Sequence, residues 1–93
     1  MGQLWLGDAS AAARVLRAAP PTSRDWRLER MLAEMRRARA HVARTGRAHS
    51  RWGGGSLMAV ALRRCPAPEP SLSDSDFCTC LARVLVRLAR GEI

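Results

Sequence analysis

Apolar residues recur at helical spacing in two long segments of the chain, which predicts two amphipathic helices. In residues 74–90, one side of the helix is apolar and the other side is basic. The apolar side comprises Phe77, Leu81, Val84, Leu85 and Leu88, and the basic side comprises Arg83, Arg87 and Arg90. Because such a stripe is normally buried, we expect this helix to be the central packing element. Ser73 and Asp76 have the spacing of a capping box at its start, and Gly91 follows its end.

The second amphipathic segment covers residues 23–45. Its apolar face comprises Leu28, Met31, Leu32, Met35 and Val42. Thr22 and Asp25 have the spacing of an acidic capping box, which predicts the start of the helix there. Gly46 is well placed as the residue that ends it in a left-handed conformation.

Two shorter helices are predicted from their capping residues. Asp8 is the expected N-cap of a helix over residues 9–19, which Pro20-Pro21 would end. Ser56 is the expected N-cap of a helix over residues 57–64. That helix is apolar nearly all round, so we expect it to be enclosed by the others.

These elements predict an all-α fold, a compact bundle of four helices in a single domain over residues 1–93. Residues 65–70 contain three prolines and predict a stiff, extended connector before the last helix. Hydrophobic residues make up 47% of the chain, which is typical of a globular protein and excludes a disordered one.

The chain is basic, and its charged residues are distributed unevenly along the sequence. The net charge is +8, and all 16 basic residues other than histidine are arginines. Residues 24–51 hold nine of them against three acids, whereas residues 74–92 hold three of each. A concentrated basic region attracts anions and speeds association with them.

Arg30, Arg37 and Arg44 recur every seven residues on the second helix and form one nearly axial row. Neighbours in such a row are about 10.5 Å apart along the axis, so the row could follow a phosphate backbone. Trp26 lies on the same side. The alternative is a solvated face with local ion pairs between Glu34 and the arginines on either side of it.

Residues 46–56 form a second candidate site. Arg47, His49 and Arg51 precede a glycine run centred on Gly54, and Ser56 follows it. Backbone N–H groups at a helix start, with cations around them, can cradle an anion such as a small phosphorylated ligand. The spacing and the lysine of a P-loop are missing. In the alternative interpretation, the glycines make a tight turn and Trp52 fills the core beneath it.

The sequence contains little that indicates metal binding or catalysis. Cys78 and Cys80 are two residues apart on a helix and point about 200° apart, so they do not face one ion. We therefore predict buried thiols, no metal and no cofactor. No Ser-His-Asp or Cys-His arrangement is evident, so we do not expect an enzyme. No helix-turn-helix spacing occurs either, so sequence-specific DNA recognition is not indicated.

The run at residues 46–59, the segment Pro68-Glu69-Pro70 and the run Phe77-Cys78-x-Cys80-Leu81 resemble a group of short uncharacterised alphaproteobacterial proteins. The Gly-Arg-x-His…Arg-Trp-Gly-x-Gly segment is the most specific part of this likeness. The resemblance implies a bacterial cytoplasmic origin and no particular function. An odd number of cysteines and the lack of a secretory signal or membrane-spanning run agree with a cytoplasmic protein.

The sequence thus predicts a small basic accessory protein that binds an acidic partner and not a membrane. Nucleic acid is the first candidate, held through phosphates without base readout. The residues expected to carry this contact are Arg30, Arg37, Arg44, Arg47 and Arg51, with Trp26 or Trp52 as a stacking surface. The alternative is a subunit or regulator that docks on an acidic protein surface or forms a homodimer.

Overall fold

The computed structural model describes residues 3–91. Within this range the chain forms four α-helices, joined by loops and one turn of 3₁₀-helix at Pro21–Ser23. In chain order they are α1 (Leu6–Arg17), α2 (Arg24–Thr45), α3 (Leu57–Leu62) and α4 (Ser75–Ala89). The helices pack into a compact bundle, which confirms the predicted all-α fold. Among these helices none is long and apolar enough to cross a membrane.

The centre of the bundle is α1, not the last helix as the sequence pattern predicted. It contacts α2, α3 and α4. Its side chains are small, and residues 8–13 are all buried. Alanines at Ala9, Ala11, Ala12 and Ala13 let three neighbours approach the backbone closely. Because other helices pack on several sides of α1, its apolar residues are not confined to one face, and their helical spacing is a weak signal in the sequence.

The last helix, α4, is one of the helices that pack on α1. Phe77, Cys80 and Val84 are buried, and Leu81 and Leu88 pack against the core in part. Leu85, predicted on the buried stripe, is 44% exposed. Cys80 is buried, although it was not on the predicted stripe. A helix that contacts the core on one side has only a narrow stripe of buried residues.

The predicted ends of α1 and α2 need correction. Helix α1 begins at Leu6, so Asp8 lies inside its first turn and is not the N-cap. Its carboxylate accepts a hydrogen bond from the N–H of Trp5 at 2.8 Å. The box predicted from Thr22 and Asp25 does not form, because Pro21–Ser23 is a 3₁₀ turn and Ser23 precedes α2 without a side-chain cap.

The predicted start of α4 is wrong as well. Asp74 is its N-cap and accepts a hydrogen bond from the N–H of Phe77 at 2.8 Å, in place of the Ser73–Asp76 box. The chain after α4 turns at Gly91, as predicted.

Helix α2 ends as predicted, with Gly46 left-handed at φ 72° and its N–H bonded to the carbonyl of Val42. The predicted core positions from Leu28 to Met35 are buried, whereas Val42 is only half-buried. After Ala38, no residue of α2 is buried. The last two turns of α2 therefore extend beyond the core.

The third helix, α3, is shorter and less enclosed than predicted, because it ends at Leu62 and Leu62 is 47% exposed. Ser56 is its N-cap, as predicted, and accepts a hydrogen bond from the N–H of Ala59 at 3.0 Å. The proline-containing connector then runs in an extended form along α1. It contacts α1 through the hydrogen bond from Ser10 to Glu69 and the bond from Arg14 to the carbonyl of Ala67.

Candidate functional site

The positive charge of the protein is concentrated in the middle of the chain. Residues 35–68 contain eight arginines and no aspartate or glutamate. The rest of the chain contains eight arginines and eight acids, so it is neutral. The whole net charge of +8 therefore comes from the second half of α2, the following loop, α3 and the connector.

In the neutral part of the chain, arginines and acids hold the helices together. Between α2 and α4, Asp25 pairs with Arg83, and Glu29 pairs with Arg87 at 2.6 Å. Arg17 at the end of α1 pairs with Asp74 at 2.5 Å. These carboxylates are bound within the bundle, so they do not offset the charge of residues 35–68.

The predicted row on α2 is exposed along its whole length. Arg30, Arg37 and Arg44 all point to solvent, and Arg30 lies with Cζ 5.5 Å from the ring centre of Trp26. Arg30 also makes a loose ion pair with Glu34, with Nε and Oε2 3.6 Å apart. This is one of the two local ion pairs in the alternative interpretation, and the other, between Glu34 and Arg37, does not form.

The loop after α2 folds into a tight hairpin against the end of that helix. His49 and Gly53 exchange two backbone hydrogen bonds of 2.8 and 3.0 Å. Nδ1 of His49 also accepts hydrogen bonds from the N–H groups of Arg51 and Trp52, at 3.0 and 3.3 Å. These bonds require an unprotonated Nδ1, so the loop is built around a neutral imidazole.

The environment of His49 keeps it neutral. Desolvation is the main reason that its pKa lies below the ordinary histidine value. Electrostatic interactions with His41, Arg51 and Arg44 lower the pKa of His49 further. The rings of His41 and His49 lie 5.0 Å apart, and a guanidinium nitrogen of Arg44 lies 3.4 Å from Nδ1 of His41.

Trp52 contacts both the core of the bundle and the basic residues around the loop. Its half-buried ring packs against the core and stacks on the ring of His49, with centroids 4.5 Å apart. The guanidinium carbons of Arg37 and Arg51 lie 5.8 and 5.6 Å from the ring centre of Trp52. The indole therefore brings an arginine of the row and an arginine of the loop to one place.

The predicted anion cradle at the start of α3 has internal partners. The N–H of Ala59 bonds to Ser56, and the N–H of Met58 bonds to the carboxylate of Asp8 at 2.9 Å. Asp8 thus occupies the position foreseen for an external anion. Gly54 is exposed on the loop beside this helix start. We therefore do not assign a contact with an external anion to Gly54 or Ser56.

Arg47 is exposed in the turn that follows α2, three positions after Arg44 in the chain. Five of the seven exposed arginines on α2 and the following loop form what we call the arginine surface. Its members are Arg30, Arg37, Arg44, Arg47 and Arg51. Of these five arginines, only Arg30 has a carboxylate of a described residue within ion-pair distance.

Sequence reasoning missed two arginines next to this surface. Arg63 and Arg64, just after α3, line a shallow depression together with residues of α2 and the loop. The other lining residues are Arg30, Glu34, Arg51 and Trp52. The adjacent pair Arg63-Arg64 is visible in the sequence. The helix predicted over residues 57–64 includes both arginines, whereas in the structure they lie in the turn after α3.

Among the described side chains, no three of His, Cys, Asp or Glu come together in positions to hold a metal ion. Cys80 is buried, and burial raises the pKa of its thiol. The thiol of Cys78 donates to the carbonyl of Leu72 at 3.0 Å. Only Cys80 is the buried thiol that the sequence predicted, because Cys78 is half-buried.

Residues 2–88 match the family "Domain of unknown function (DUF7742)", and the chain belongs to this family. No curated protein matches the chain, and no solved structure does.

Proposed function

We propose that this member of the DUF7742 family binds nucleic acid through its phosphates, without reading the base sequence, by means of the arginine surface. One observation carries the proposal. Arg37, Arg44, Arg47 and Arg51 are exposed and, within residues 3–91, have no carboxylate in reach, although acids elsewhere pair with arginines.

The chemistry of arginine supports a phosphate partner. A guanidinium group presents a planar fork of N–H donors that matches two oxygens of a phosphate. Binding to a nucleic acid also releases condensed counterions, which favours exposed and unpaired arginines. Arginines within the bundle, such as Arg24 and Arg87, already hold carboxylates and are not available in this way.

A second candidate function is docking on an acidic protein surface, which would use the same arginines. The exposure of Trp26, at 59%, favours it, because tryptophan and arginine are enriched at protein interfaces. The homodimer version rests on a different surface, the exposed Leu85 and Val86 of α4. Sedimentation velocity distinguishes it, because a monomer at high protein concentration excludes a homodimer.

The test of nucleic-acid binding is fluorescence anisotropy with labelled oligonucleotides over a series of salt concentrations. For contacts from five arginines to a single strand, the slope of log K against log salt should be about −3 to −4. In the Arg37→Gln/Arg44→Gln variant, the slope should become less steep by about 1.4.

The matched control is Arg27→Gln/Arg90→Gln, which removes the same charge from exposed positions outside residues 35–68. It should bind almost as well as the unmodified protein. Failure to bind any oligonucleotide at low salt would exclude the proposal. Equal losses in the two double variants would also exclude it, because net charge and not the arginine surface would then explain binding.

The proposed setting is the cytoplasm of a bacterium. The resemblance to short alphaproteobacterial proteins supports the origin. Cys65, Cys78 and Cys80 are all free thiols, as a reducing compartment requires. Fractionation of the native cell and detection with an antibody would test the compartment.

A further inference from the structure

The shallow depression beside the arginine surface brings together four arginines from three parts of the chain. Arg30 comes from α2, Arg51 from the loop, and Arg63 and Arg64 from the turn after α3. Trp52 forms part of the wall, and Glu34 is the one carboxylate among the described lining residues.

Glu34 does not neutralise this depression. Its Oε2 accepts a hydrogen bond from Arg64 at 2.9 Å, and its Oε1 lies 2.8 Å from a second nitrogen of the same guanidinium group, whereas Arg30 lies farther away at 3.6 Å. Arg64 is held in place by this pair and by a bond to the carbonyl of Val60. Arg51 and Arg63 have no carboxylate in reach within residues 3–91. The lining therefore has a net charge of +3, enough to attract the singly charged phosphodiester group of a nucleic acid.

An exposed aromatic ring lies next to this depression. Trp26 is one helical turn before Arg30 on the same face of α2, and the Arg30 guanidinium lies 5.5 Å from the ring centre. The indole is 59% exposed and does not belong to the core cluster. Arg30 thus lies between a flat aromatic surface and a cationic depression.

We propose that the partner is a single-stranded nucleic acid, with one phosphate in the depression between Arg30, Arg51 and Arg63 and an adjacent base stacked on Trp26. The inference rests on the proposed function, because it assigns a place to one phosphate contact and adds a base contact. Unpaired bases expose their faces for stacking on an aromatic side chain, whereas bases inside a duplex are stacked on each other. Stacking on an indole is tolerant of base identity, so it agrees with binding that does not read sequence.

The experiment compares two single strands with the same number of phosphates, twelve-nucleotide oligothymidylate and a twelve-residue abasic strand. The unmodified protein should bind the oligothymidylate about tenfold more tightly, because only this strand can stack on Trp26. Trp26→Ala should remove this difference and leave binding of the abasic strand unchanged. Trp5→Ala is the matched control, because Trp5 is similarly exposed, at 68%, but lies at the start of α1 and not on the face of α2 that carries Arg30.

The phosphate position is tested with Arg63→Gln against Arg90→Gln. Arg63→Gln should weaken binding of both strands and make the salt slope less steep, because the phosphate in the depression loses one of its three guanidinium contacts. Arg90→Gln should change neither quantity, because Arg90 lines a separate groove between α2 and α4. Circular dichroism and thermal unfolding check that each variant is folded, as expected for substitutions at exposed positions.

Equal binding of the two strands by the unmodified protein would overturn the base contact, and so would a loss in Trp26→Ala that is the same for both strands. Equal behaviour of Arg63→Gln and Arg90→Gln would overturn the phosphate position. In each of these cases the proposed function survives, because the protein still binds a strand. Absence of binding to either strand at low salt would instead reject the proposed function itself.

Discussion

The guanidinium group of Arg24 donates two hydrogen bonds to the carboxylate of Asp76, at 2.8 and 3.0 Å. The same group donates to the carbonyls of Leu16 and Ala19 at the end of α1, at 2.8 and 3.2 Å. Arg24 is only 6% exposed. It therefore joins the end of α1 to the first turn of α4, and it is not part of the surface available to a partner.

Replacing Arg24 should strongly destabilise the protein. Arg24→Ala leaves carbonyls at the end of α1 and the carboxylate of Asp76 without their donors, at a cost of about 3 kcal/mol in the free energy of unfolding. Urea unfolding at neutral pH measures this. Arg27→Ala, a neighbouring exposed arginine, should change the free energy by less than about 0.5 kcal/mol. Similar values for both variants would show that Arg24 has no special structural role.

Acid should destabilise the protein through the ion pairs between helices. Hydrogen bonds from Arg87, Arg17 and Arg24 lower the pKa values of Glu29, Asp74 and Asp76, respectively. The unfolded chain then binds more protons than the folded one below about pH 4.5, so stability falls as the pH falls through this range.

Urea midpoints between pH 7 and pH 2 test this expectation. The decrease of the midpoint below about pH 4.5 should add to the loss that His49 contributes below about pH 6.5. Asp76→Asn should be less stable at neutral pH and show a shallower decrease in acid, because one of the three carboxyl groups is gone. A midpoint that does not change down to pH 2 would contradict the role of these pairs.

The loop after α2 should respond to pH near neutrality. Because the pKa of His49 is lowered in the folded protein, its contribution to stability is complete above about pH 6.5 and is lost as the pH falls through the folded pKa. Protonation of Nδ1 also breaks its bonds with the N–H groups of Arg51 and Trp52. NMR titration of the imidazole should give a pKa below that of a free histidine.

His41→Asn provides the control for this titration. It removes one of the groups that lower the pKa of His49, so the pKa should rise. Fluorescence of Trp52, which stacks on His49, should change over the same pH range as the imidazole signal. An imidazole pKa at or above the ordinary value would rule out the neutral state described for His49.

The glycine run should contain one position that tolerates a side chain and one that does not. At Gly55 the backbone has φ 95°, and an added Cβ would lie 2.6 Å from Cγ of Arg39. Gly55→Ala should cost about 2 kcal/mol or more in the free energy of unfolding. At Gly54 an added Cβ meets nothing within 4 Å, so Gly54→Ala should be nearly neutral. Thermal unfolding of the two variants, side by side, gives the comparison.

Some features that depend on neighbouring residues were predicted correctly, although the caps expected at Asp8, Thr22 and Ser73 do not form. Gly46 ends α2 and Ser56 caps α3, because both effects are decided within one helical turn. The exposed row of Arg30, Arg37 and Arg44 follows from helical periodicity alone. The same periodicity was less reliable for Leu85, because it does not tell how much of a helix its neighbours cover.

Features that depend on distant residues were not predicted. Asp8 bonds to Met58, 50 positions away, so the acidic group at the start of α3 could not be read from the sequence around Ser56. Arg24 was counted with the basic region, yet its charge is bound by Asp76. The position of Arg63 beside Arg30 likewise depends on how α3 packs near α2.

By itself, the sequence determined the helical class, several helix ends and the middle of the chain as the source of positive charge, because composition and spacing along the chain are local properties. Only the tertiary structure decided which helix is central, which arginines are bound to carboxylates and which remain exposed. The physical reason is that burial and ion pairing depend on distances in space between residues far apart in the chain. The same charge on Arg24 and on Arg37 thus stabilises the fold in one case and faces solvent in the other.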